Sequence, residues 1–335
     1  MSAYITVEKL TKKYGDLTAV DNLSFTVDEN EIFGFLGPNG AGKTTTLNVI
    51  ATLSDYDRGN VNIAGYDLAH AEFQIKGLLG LVPQEIALYQ TLSAAENVAL
   101  FASLYGLRGK ALKKAVDNAL EFVGLSDERK KRAGKMSGGM QRRLNIACGI
   151  AHRPKLIIMD EPTVGVDARS RDTILRSIRI LRDEGATIIY TSHYMPEVQE
   201  IADRIAIIDK GRLAAIGTEG ELLGFVTDRK SITIRIGAGA GTAAEAATSD
   251  IGTLAGVKRA KYLPESEIIR LDVDLALANI SPIFSIFTNR SITVRSFEEE
   301  APDLETTFLA LTGRELNDAG NEGAQAADSQ RGVRS

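Results

Sequence analysis

Cysteine is almost absent from this chain: Cys148 is the only one in 335 residues. No intrachain disulfide can form, so the fold must hold together without covalent staples, and a reducing compartment is the natural setting. No apolar run reaches the roughly 20 residues that a helix needs to cross a bilayer. The first residues, Met1-Ser2-Ala3-Tyr4-Ile5-Thr6-Val7-Glu8-Lys9, lack the basic-then-apolar layout of a signal peptide. Positive charge is not in excess either. The formal net charge is −5 at pH 7, which gives no reason to expect general nucleic-acid binding. The basic run Arg129-Lys130-Lys131-Arg132 has no interleaved aromatics on which bases could stack, and reads as a solvated segment. The expectation is a cytoplasmic chain whose membrane role, if any, comes through a partner. Composition is ordinary for a globular protein, at 44% apolar and 25% charged, and the length suggests one large domain and one small.

Against this plain background one stretch stands out: Gly37-Pro38-Asn39-Gly40-Ala41-Gly42-Lys43-Thr44, followed by Thr45. It fits G-x-x-x-x-G-K-[ST], the loop that wraps a nucleotide's phosphates. Its glycines allow backbone dihedrals that a Cβ disfavours, and let successive N–H groups turn toward phosphate oxygens. Lys43 brings a compact positive charge to the β- and γ-phosphates, and the Thr44 hydroxyl is placed to ligate Mg²⁺. The flanks agree with this reading. Ile32-Phe33-Gly34-Phe35-Leu36 is a buried strand, and residues 45–53 read as a helix whose N-terminus faces the anion.

The rest of the chain sorts by periodicity. Residues 4–8 and 18–27 read as strands, with Lys12, Lys13, Tyr14 and Gly15 on the loop between them. Short strands are expected over 61–65 and 78–83. From Gln84 to about Ile150 the pattern is helical, opened by the capping box Ser93-Ala94-Ala95-Glu96 and carrying an apolar stripe through Leu112, Val116, Leu120 and Val123. Cys148 belongs to the apolar face of the last of these helices. After Pro154 strands and helices alternate: strands at 156–159, 187–190, 204–208 and 212–216, a helix over 168–184, and another opened by Pro196. Buried strands alternating with helices imply a mainly parallel sheet covered on both faces. The pattern breaks over 217–225. Strands at 231–236, 267–273 and 291–294 and helices at 275–288 and 304–311 then suggest a compact α+β unit over 225–315, without a chemical motif. Residues 316–335 are polar and read as a disordered tail.

Two further stretches carry chemistry. Leu156-Ile157-Ile158-Met159-Asp160-Glu161 is an apolar strand ending in two carboxylates. Beside a phosphate loop, Asp160 can hold the Mg²⁺ shell and Glu161 can polarise a water for in-line attack on the γ-phosphate. Met136-Ser137-Gly138-Gly139-Met140-Gln141 opens a helix with small residues, which leaves the Ser137 hydroxyl and the N–H groups of Gly138 and Gly139 free to meet a phosphate. One chain already has its phosphate loop, so a second cradle invites an arrangement across a dimer. By itself, S-G-G fits an ordinary flexible turn better.

In this order and spacing the residues resemble the ATP-binding subunit of an ABC transporter, from residue 4 to about 220. Gly37 to Thr45 is similar to the family's Walker A loop, Gln84 to its Q-loop glutamine and 136–141 to its signature. The stretch 157–161 resembles Walker B with its catalytic glutamate. Thr163-Val164-Gly165-Val166-Asp167 resembles the D-loop, and Thr191-Ser192-His193 the switch histidine. Tyr14 matches the aromatic on which adenine stacks. The residues alone leave Tyr14 open to being a packing aromatic and Gln84 a strand-end polar residue. His70 and His152 have no such context and are read as structural. The run from His193 through Gly217, with Leu304-Glu305-Thr306-Thr307-Phe308-Leu309 near the end, is similar to subunits of ABC-2-type and drug-resistance exporters. The family pattern is departed from in the signature, where Met136 stands for the usual Leu and Met140 for the usual Gln, and in the D-loop, which reads Val-Gly-Val-Asp.

The resemblance implies a fold and a mechanism. The fold is a P-loop NTPase α/β core over 1–220, with a parallel sheet, an N-terminal antiparallel β-subdomain and a helical signature subdomain over about 85–150. A C-terminal α+β accessory domain follows. Two such chains, a homodimer being the expected form, would close head to tail on two ATP molecules. Glu161, His193 and Gln84 would serve catalysis, and Thr44, Gln84 and Asp160 the Mg²⁺. Tyr14, the phosphate loop and the partner's Ser137, Gly138, Gly139 and Asp167 would hold the nucleotide. Residues 85–110 would receive an integral membrane permease, placing the chain peripherally on the inner face of the membrane, with no nucleic-acid partner. The competing reading is a soluble ABC-type ATPase acting on DNA or ribosomes. The short interval between Lys43 and Asp160, without a coiled-coil insertion, and the single phosphate loop speak against it. A GTPase switch is disfavoured because Asn-Lys-x-Asp occurs nowhere.

Overall fold

Two long antiparallel strands, β1 (Ala3–Tyr14) and β2 (Leu17–Asp28), open the chain as a hairpin. A computed structural model describes residues 3–225, 229–237, 240–274, 281–300 and 303–313. The expected tail at 316–335 and the start of the helix expected over 275–288 lie outside them. The chain divides into two compact units, with the boundary between Thr218 and Glu219.

In the first unit, β3 (Ile32–Leu36) leads through the phosphate loop into α1 (Lys43–Ile50). Then come β4 (Arg58–Ile63), β5 (Tyr66–Asp67), α2 (Glu72–Leu78) and β6 (Leu79–Val82). Three helices follow: α3 (Ala94–Leu104), α4 (Gly109–Phe122) and α5 (Gly138–Ile150). The chain returns through β7 (Leu156–Asp160), α6 (Ala168–Asp183), β8 (Thr187–Ser192), α7 (Met195–Ile201), β9 (Arg204–Asp209) and β10 (Arg212–Gly217). A six-stranded sheet has the order β10-β9-β3-β8-β7-β6, parallel except for the β9–β10 pair. A second, antiparallel sheet has the order β2-β1-β4-β5. Every residue of β3, β7 and β8 is buried, as expected of parallel strands covered on both faces.

The first hairpin differs from the expectation. Lys12, Lys13 and Tyr14 are not on a loop; they belong to β1, and the turn is Gly15-Asp16. The reason is a bulge. Lys9 has a φ of 50°, and the register slips between Val7 and Leu10, so the alternation of side chains breaks after Glu8. A period-2 reading stops there although the strand continues. The capping box is formed as expected: the Ser93 hydroxyl accepts from the Glu96 N–H at 3.3 Å, and Glu96 Oε2 accepts from the Ser93 N–H at 2.8 Å. Backbones approach closely where α5 crosses β6. A Cβ on Gly80 would lie 2.4 Å from the Gly149 carbonyl oxygen, and one on Gly149 would lie 2.9 Å from that of Leu81. Only glycine permits this contact, which anchors the C-terminal half of α5 to the strand preceding Gln84.

The second unit comprises α8 (Glu219–Gly224), β11 (Arg229–Ile236), α9 (Gly241–Gly252), β12 (Val257–Leu263), β13 (Ile268–Asp274), α10 (Ser281–Asn289), β14 (Val294–Glu300) and α11 (Leu304–Thr312). Its antiparallel sheet has the order β12-β13-β11-β14, so β11 to β14 with their two helices form the split βαβ arrangement of ferredoxin-like folds. Alternate residues Ile232, Ile234, Ile236, Ile269, Leu271 and Val273 pack with Ala244, Ala247 and Ile251 of α9 and Ile283 and Phe287 of α10. The sequence reading did not anticipate α9 or β12. The strand expected at 291–294 starts only at Val294, after Ser291 turns at φ 55°. Phe287 is 1% exposed in this core. Phe287→Ala is expected to destabilise the unit by about 3–5 kcal/mol, read as a shift of the urea unfolding curve followed by circular dichroism.

Candidate active site at the ends of the parallel strands

Three neighbouring strands deliver the polar groups. The loop after β3 carries the phosphate-loop residues, the end of β7 carries Asp160 and Glu161, and the end of β8 carries Thr191 and His193. Because the strands are parallel and adjacent, in the order β3-β8-β7, their carboxyl ends open on one crevice, the usual ligand position in such sheets.

The loop itself is wound for an anion. Gly42 has a φ of 99°, and a Cβ there would lie 2.5 Å from the Ala19 carbonyl oxygen, so no other residue fits without displacing β2. Lys43 is 5% exposed. Its ammonium donates to the carbonyl oxygens of Gly37 at 2.6 Å and Pro38 at 3.1 Å. Burial lowers its pKa, partly offset by the charges of Glu161 and Asp160. A buried cation held only by neutral carbonyls, next to an N-terminal helix turn, is chemically suited to a phosphate.

The carboxylates are positioned by hydroxyls. Thr191 Oγ1 donates to Asp160 Oδ1 at 2.6 Å and accepts from the Glu161 N–H at 3.0 Å. Asp160 Oδ2 accepts from Thr44 Oγ1 at 3.2 Å, bringing together the two oxygen ligands expected for Mg²⁺. Among the described residues, no cluster of three or more His, Cys, Asp or Glu side chains could cage a metal. A pair of hard oxygens suits Mg²⁺, which binds through one or two protein groups and takes its other ligands from phosphate and water. Glu161 has a φ of 47°, unusual for a residue with a side chain. The turn leaves its carboxylate accepting from Gln84 Nε2 at 3.1 Å and meeting His193 Nδ1 at 3.1 Å. His193 itself is 44% exposed, and its other ring nitrogen remains for a ligand.

A cleft of about 420 Å³ brings together Tyr14, Pro38, Asn39, Gly40, Gly42, Lys43, Thr44, Thr45, Gln84 and Glu161. Gly37 and Ala41 complete the loop behind it. Tyr14 is half exposed, with the Lys12 ammonium 5.1 Å from its ring centroid, leaving an accessible aromatic platform at the rim. Leu17, Thr18, Ala19 and Lys210 also line the cleft, and the sequence reading missed them. Lys210 lies in the β9–β10 turn, which is tied to the loop by a hydrogen bond from the Gly211 N–H to the Ala41 carbonyl at 2.9 Å.

Ser137, Gly138, Gly139 and Asp167 are not among the residues lining this cleft. Ser137 caps α5, its hydroxyl accepting from the Met140 N–H at 3.3 Å. Asp167 caps α6, accepting from the Ser170 N–H at 3.0 Å and the Ser170 hydroxyl at 2.7 Å; these bonds lower its pKa. Met136 packs inward at 7% exposure, while Ser137 and Gly138 face solvent. Gln141 turns away, donating to the Ala133 carbonyl at 2.8 Å.

Behind the site lies a second buried carboxylate. Glu197 Oε2 accepts from Thr163 Oγ1 at 2.7 Å, Tyr190 OH at 2.7 Å and Ser192 Oγ at 3.1 Å, while Oε1 lies 2.9 Å from Arg171 Nε. Ser192 Oγ in turn accepts from the Tyr194 N–H at 2.9 Å, so this network fixes the backbone on both sides of His193. His152 is structural as expected: it stacks on Tyr105 at 3.5 Å, and its Nε2 lies 3.0 Å from the Leu79 carbonyl oxygen. Cys148 is buried, which pushes its thiol pKa up.

A glycine-wound phosphate loop at the carboxyl ends of parallel strands, facing paired carboxylates, defines a P-loop NTPase. The ABC transporter family matches residues 20–164. The linearmycin resistance ATP-binding protein LnrL of Bacillus subtilis is 39% identical over 93% of this chain and 99% of its own length. The daunorubicin resistance ATP-binding protein DrrA3 of Streptomyces coeruleorubidus is 33% identical over 92% and 96%. Among solved structures, an ATP-binding subunit of an ABC transporter matches with a TM-score of 0.62 and 27% identity, covering 67% of this chain and 93% of that one. A dimeric post-hydrolysis ATP-binding cassette bound to ADP and Pi matches with a TM-score of 0.59 and 25% identity, over 64% and 98%. The chain belongs to the ABC transporter family, as an ATP-binding protein of the drug-resistance exporter type, and it is an ATPase.

Two outcomes are expected from this geometry. Thr191→Val removes the donor to Asp160 and orphans the buried Glu161 N–H, which should cost about 1–3 kcal/mol of stability; Thr191→Ser should restore most of it in the same urea titration. Lys43→Met tests the depressed lysine. Between its lowered folded pKa and the ordinary 10.5, the unfolded chain binds more protons, so nucleotide-free stability rises with pH. Urea unfolding at a series of pH values should show that rise in the wild type and its absence in Lys43→Met.

Proposed function

We propose that this chain hydrolyses ATP as one half of a nucleotide-closed pair and so powers export through a separate membrane permease. The observation that carries this reading is the convergence on Glu161: one buried carboxylate oxygen meets both Gln84 and His193 beside the phosphate cleft. Glu161 is the group that takes the proton of the attacking water. His193 holds that carboxylate through Nδ1 and keeps Nε2 for the γ-phosphate, and Gln84 senses the same point from the strand end. Lys43 and the loop N–H groups bind the β- and γ-phosphates, and Tyr14 offers its ring to the adenine. Thr44 and Asp160, with Gln84 nearby, would hold Mg²⁺, which when bound neutralises phosphate charge and fixes phosphate orientation.

The partner copy's Ser137, Gly138, Gly139 and Asp167 would complete the site. Their absence from the chain's own cleft and the exposure of Ser137 and Gly138 support this arrangement. Among the described residues no helix is long and apolar enough to cross a membrane, so transport needs a membrane partner, with the chain peripheral on its cytoplasmic face. Relatives named for drug resistance and for Nod factor export favour the outward direction. The second unit would be an accessory domain of this machine.

Glu161→Gln is expected to keep ATP binding while turnover falls by about 10²-fold or more, the usual scale for loss of a general base. An ATP-bound dimer should accumulate on size exclusion. Normal turnover in this variant would remove Glu161 from its assigned role. Recovery of the wild-type chain from cells with ribosomes or DNA rather than an integral membrane protein would instead overturn the transport reading.

A further inference from the structure

We propose that Arg142 couples the two ATP sites of the assembled pair, by holding Gln84 and the 163–167 loop to the helix whose first turn faces the other copy. This rests on the dimeric ATPase reading above. Arg142 lies on α5, little more than one turn after Ser137, and is 5% exposed. Its Nη1 donates to the carbonyl oxygens of Gln84 at 2.6 Å and Pro83 at 3.3 Å. Its Nη2 donates to that of Val164 at 3.3 Å. A guanidinium is a rigid planar fork, so two loops from different strands are held in fixed relation to one helix.

Two other contacts give that fork mechanical meaning. The far end of α5 is anchored on β6 by the Gly80–Gly149 backbone approach, so the helix has a fixed C-terminal end. At that first turn, a Cβ on Gly139 would lie 3.1 Å from Ser170 Oγ and 3.7 Å from Asp167 Oδ2, so the starts of α5 and α6 pack together. Movement imposed on Ser137 by a nucleotide in the partner's site therefore pulls on Arg142. From there a continuous path runs through the Gln84 backbone and side chain to Glu161 and His193 in the chain's own site. Coupling through such a path must be reciprocal for binding. Arg142 touches no substrate; it is a positioning residue.

The test uses the full chain and compares wild type with Arg142→Lys, which keeps the charge but not the fork, and Arg142→Met, which keeps neither. ATP hydrolysis in the wild type should be sigmoidal with a Hill coefficient approaching the two sites of the pair, falling to about 1 in both variants while ADP affinity stays within about two-fold. A hyperbolic wild type, or an unchanged Hill coefficient in a folded variant, overturns the proposal. A measurement without Arg142 variants covers the case in which they do not fold. In Glu161→Gln with ATP, the amides of 84–85, 138–142 and 163–167 should gain hydrogen-exchange protection together. Protection confined to 138–142 overturns the proposal. Lys43→Ala separates the two levels: normal hydrolysis there would defeat the underlying ATPase site, whereas its loss with unaltered Hill coefficients in the Arg142 variants would defeat only the coupling.

Discussion

A buried ammonium within electrostatic reach of two buried carboxylates is the arrangement on which the large unit depends. Lys43, Asp160 and Glu161 are each at most 7% exposed. Charges withdrawn from water this far are tolerated only where partners surround them. Here the partners are distributed: loop carbonyls for Lys43, the Thr44 and Thr191 hydroxyls for Asp160, and Gln84 and His193 for Glu161. Only a parallel order of β3, β8 and β7 brings all of these groups to one end of the sheet. The long apolar runs of those strands, buried on both faces, are what make that order stable.

The positive φ of Glu161 belongs to the same constraint. A residue held in that region costs of the order of 1–3 kcal/mol and persists only where its surroundings over-determine it. The surroundings do so: its N–H is held by Thr191, and the segment after it by Thr163 on Glu197 and Val164 on Arg142. Glu197 and Arg142 are buried charges of opposite sign bonded to neighbouring residues of this segment, and neither lines the cleft. Between them they connect it to the loop carrying His193 and to α5. Geometry at the reacting end is thus set by charged residues behind it.

What could be read from the residues follows from how local the determinants are. The phosphate loop, the strand ending in Asp160-Glu161 and the Ser93 capping box each depend on a few adjacent positions, and each was visible. The bulge at Lys9 was not, because nothing in the string marks a break in register, so Tyr14 was put on a loop although it closes a strand. In the second unit, α9 is mostly Gly, Ala, Thr and Ser, with Glu245, Asp250 and a single large aliphatic, Ile251, so its helical stripe is faint. The strand β12, Val-Lys-Arg-Ala-Lys-Tyr-Leu, carries charges because one of its faces is open. Arg142 and Lys210 carry no local signal of a role; their placement comes from β6, α5 and the β9–β10 turn meeting in space.

By itself, then, the sequence determined the class of chemistry: glycines, lysine, threonine and paired carboxylates at fixed local spacing can do little other than bind and hydrolyse a nucleotide. It determined the alternation of strands and helices after Pro154 in the first unit as well, since apolar periodicity is a local property. Tertiary structure alone decided which carboxylate oxygen faces which partner and that Thr191 orders both carboxylates. It alone decided too that a guanidinium on the signature helix reaches the glutamine strand and the 163–167 loop together. Those relations join residues up to 116 positions apart along the chain, as in the bond from the Thr44 hydroxyl to Asp160. They arise from the stacking order of buried strands, and no local pattern encodes that order. The phosphate loop could be found by eye; the cleft that it lines could only be seen folded.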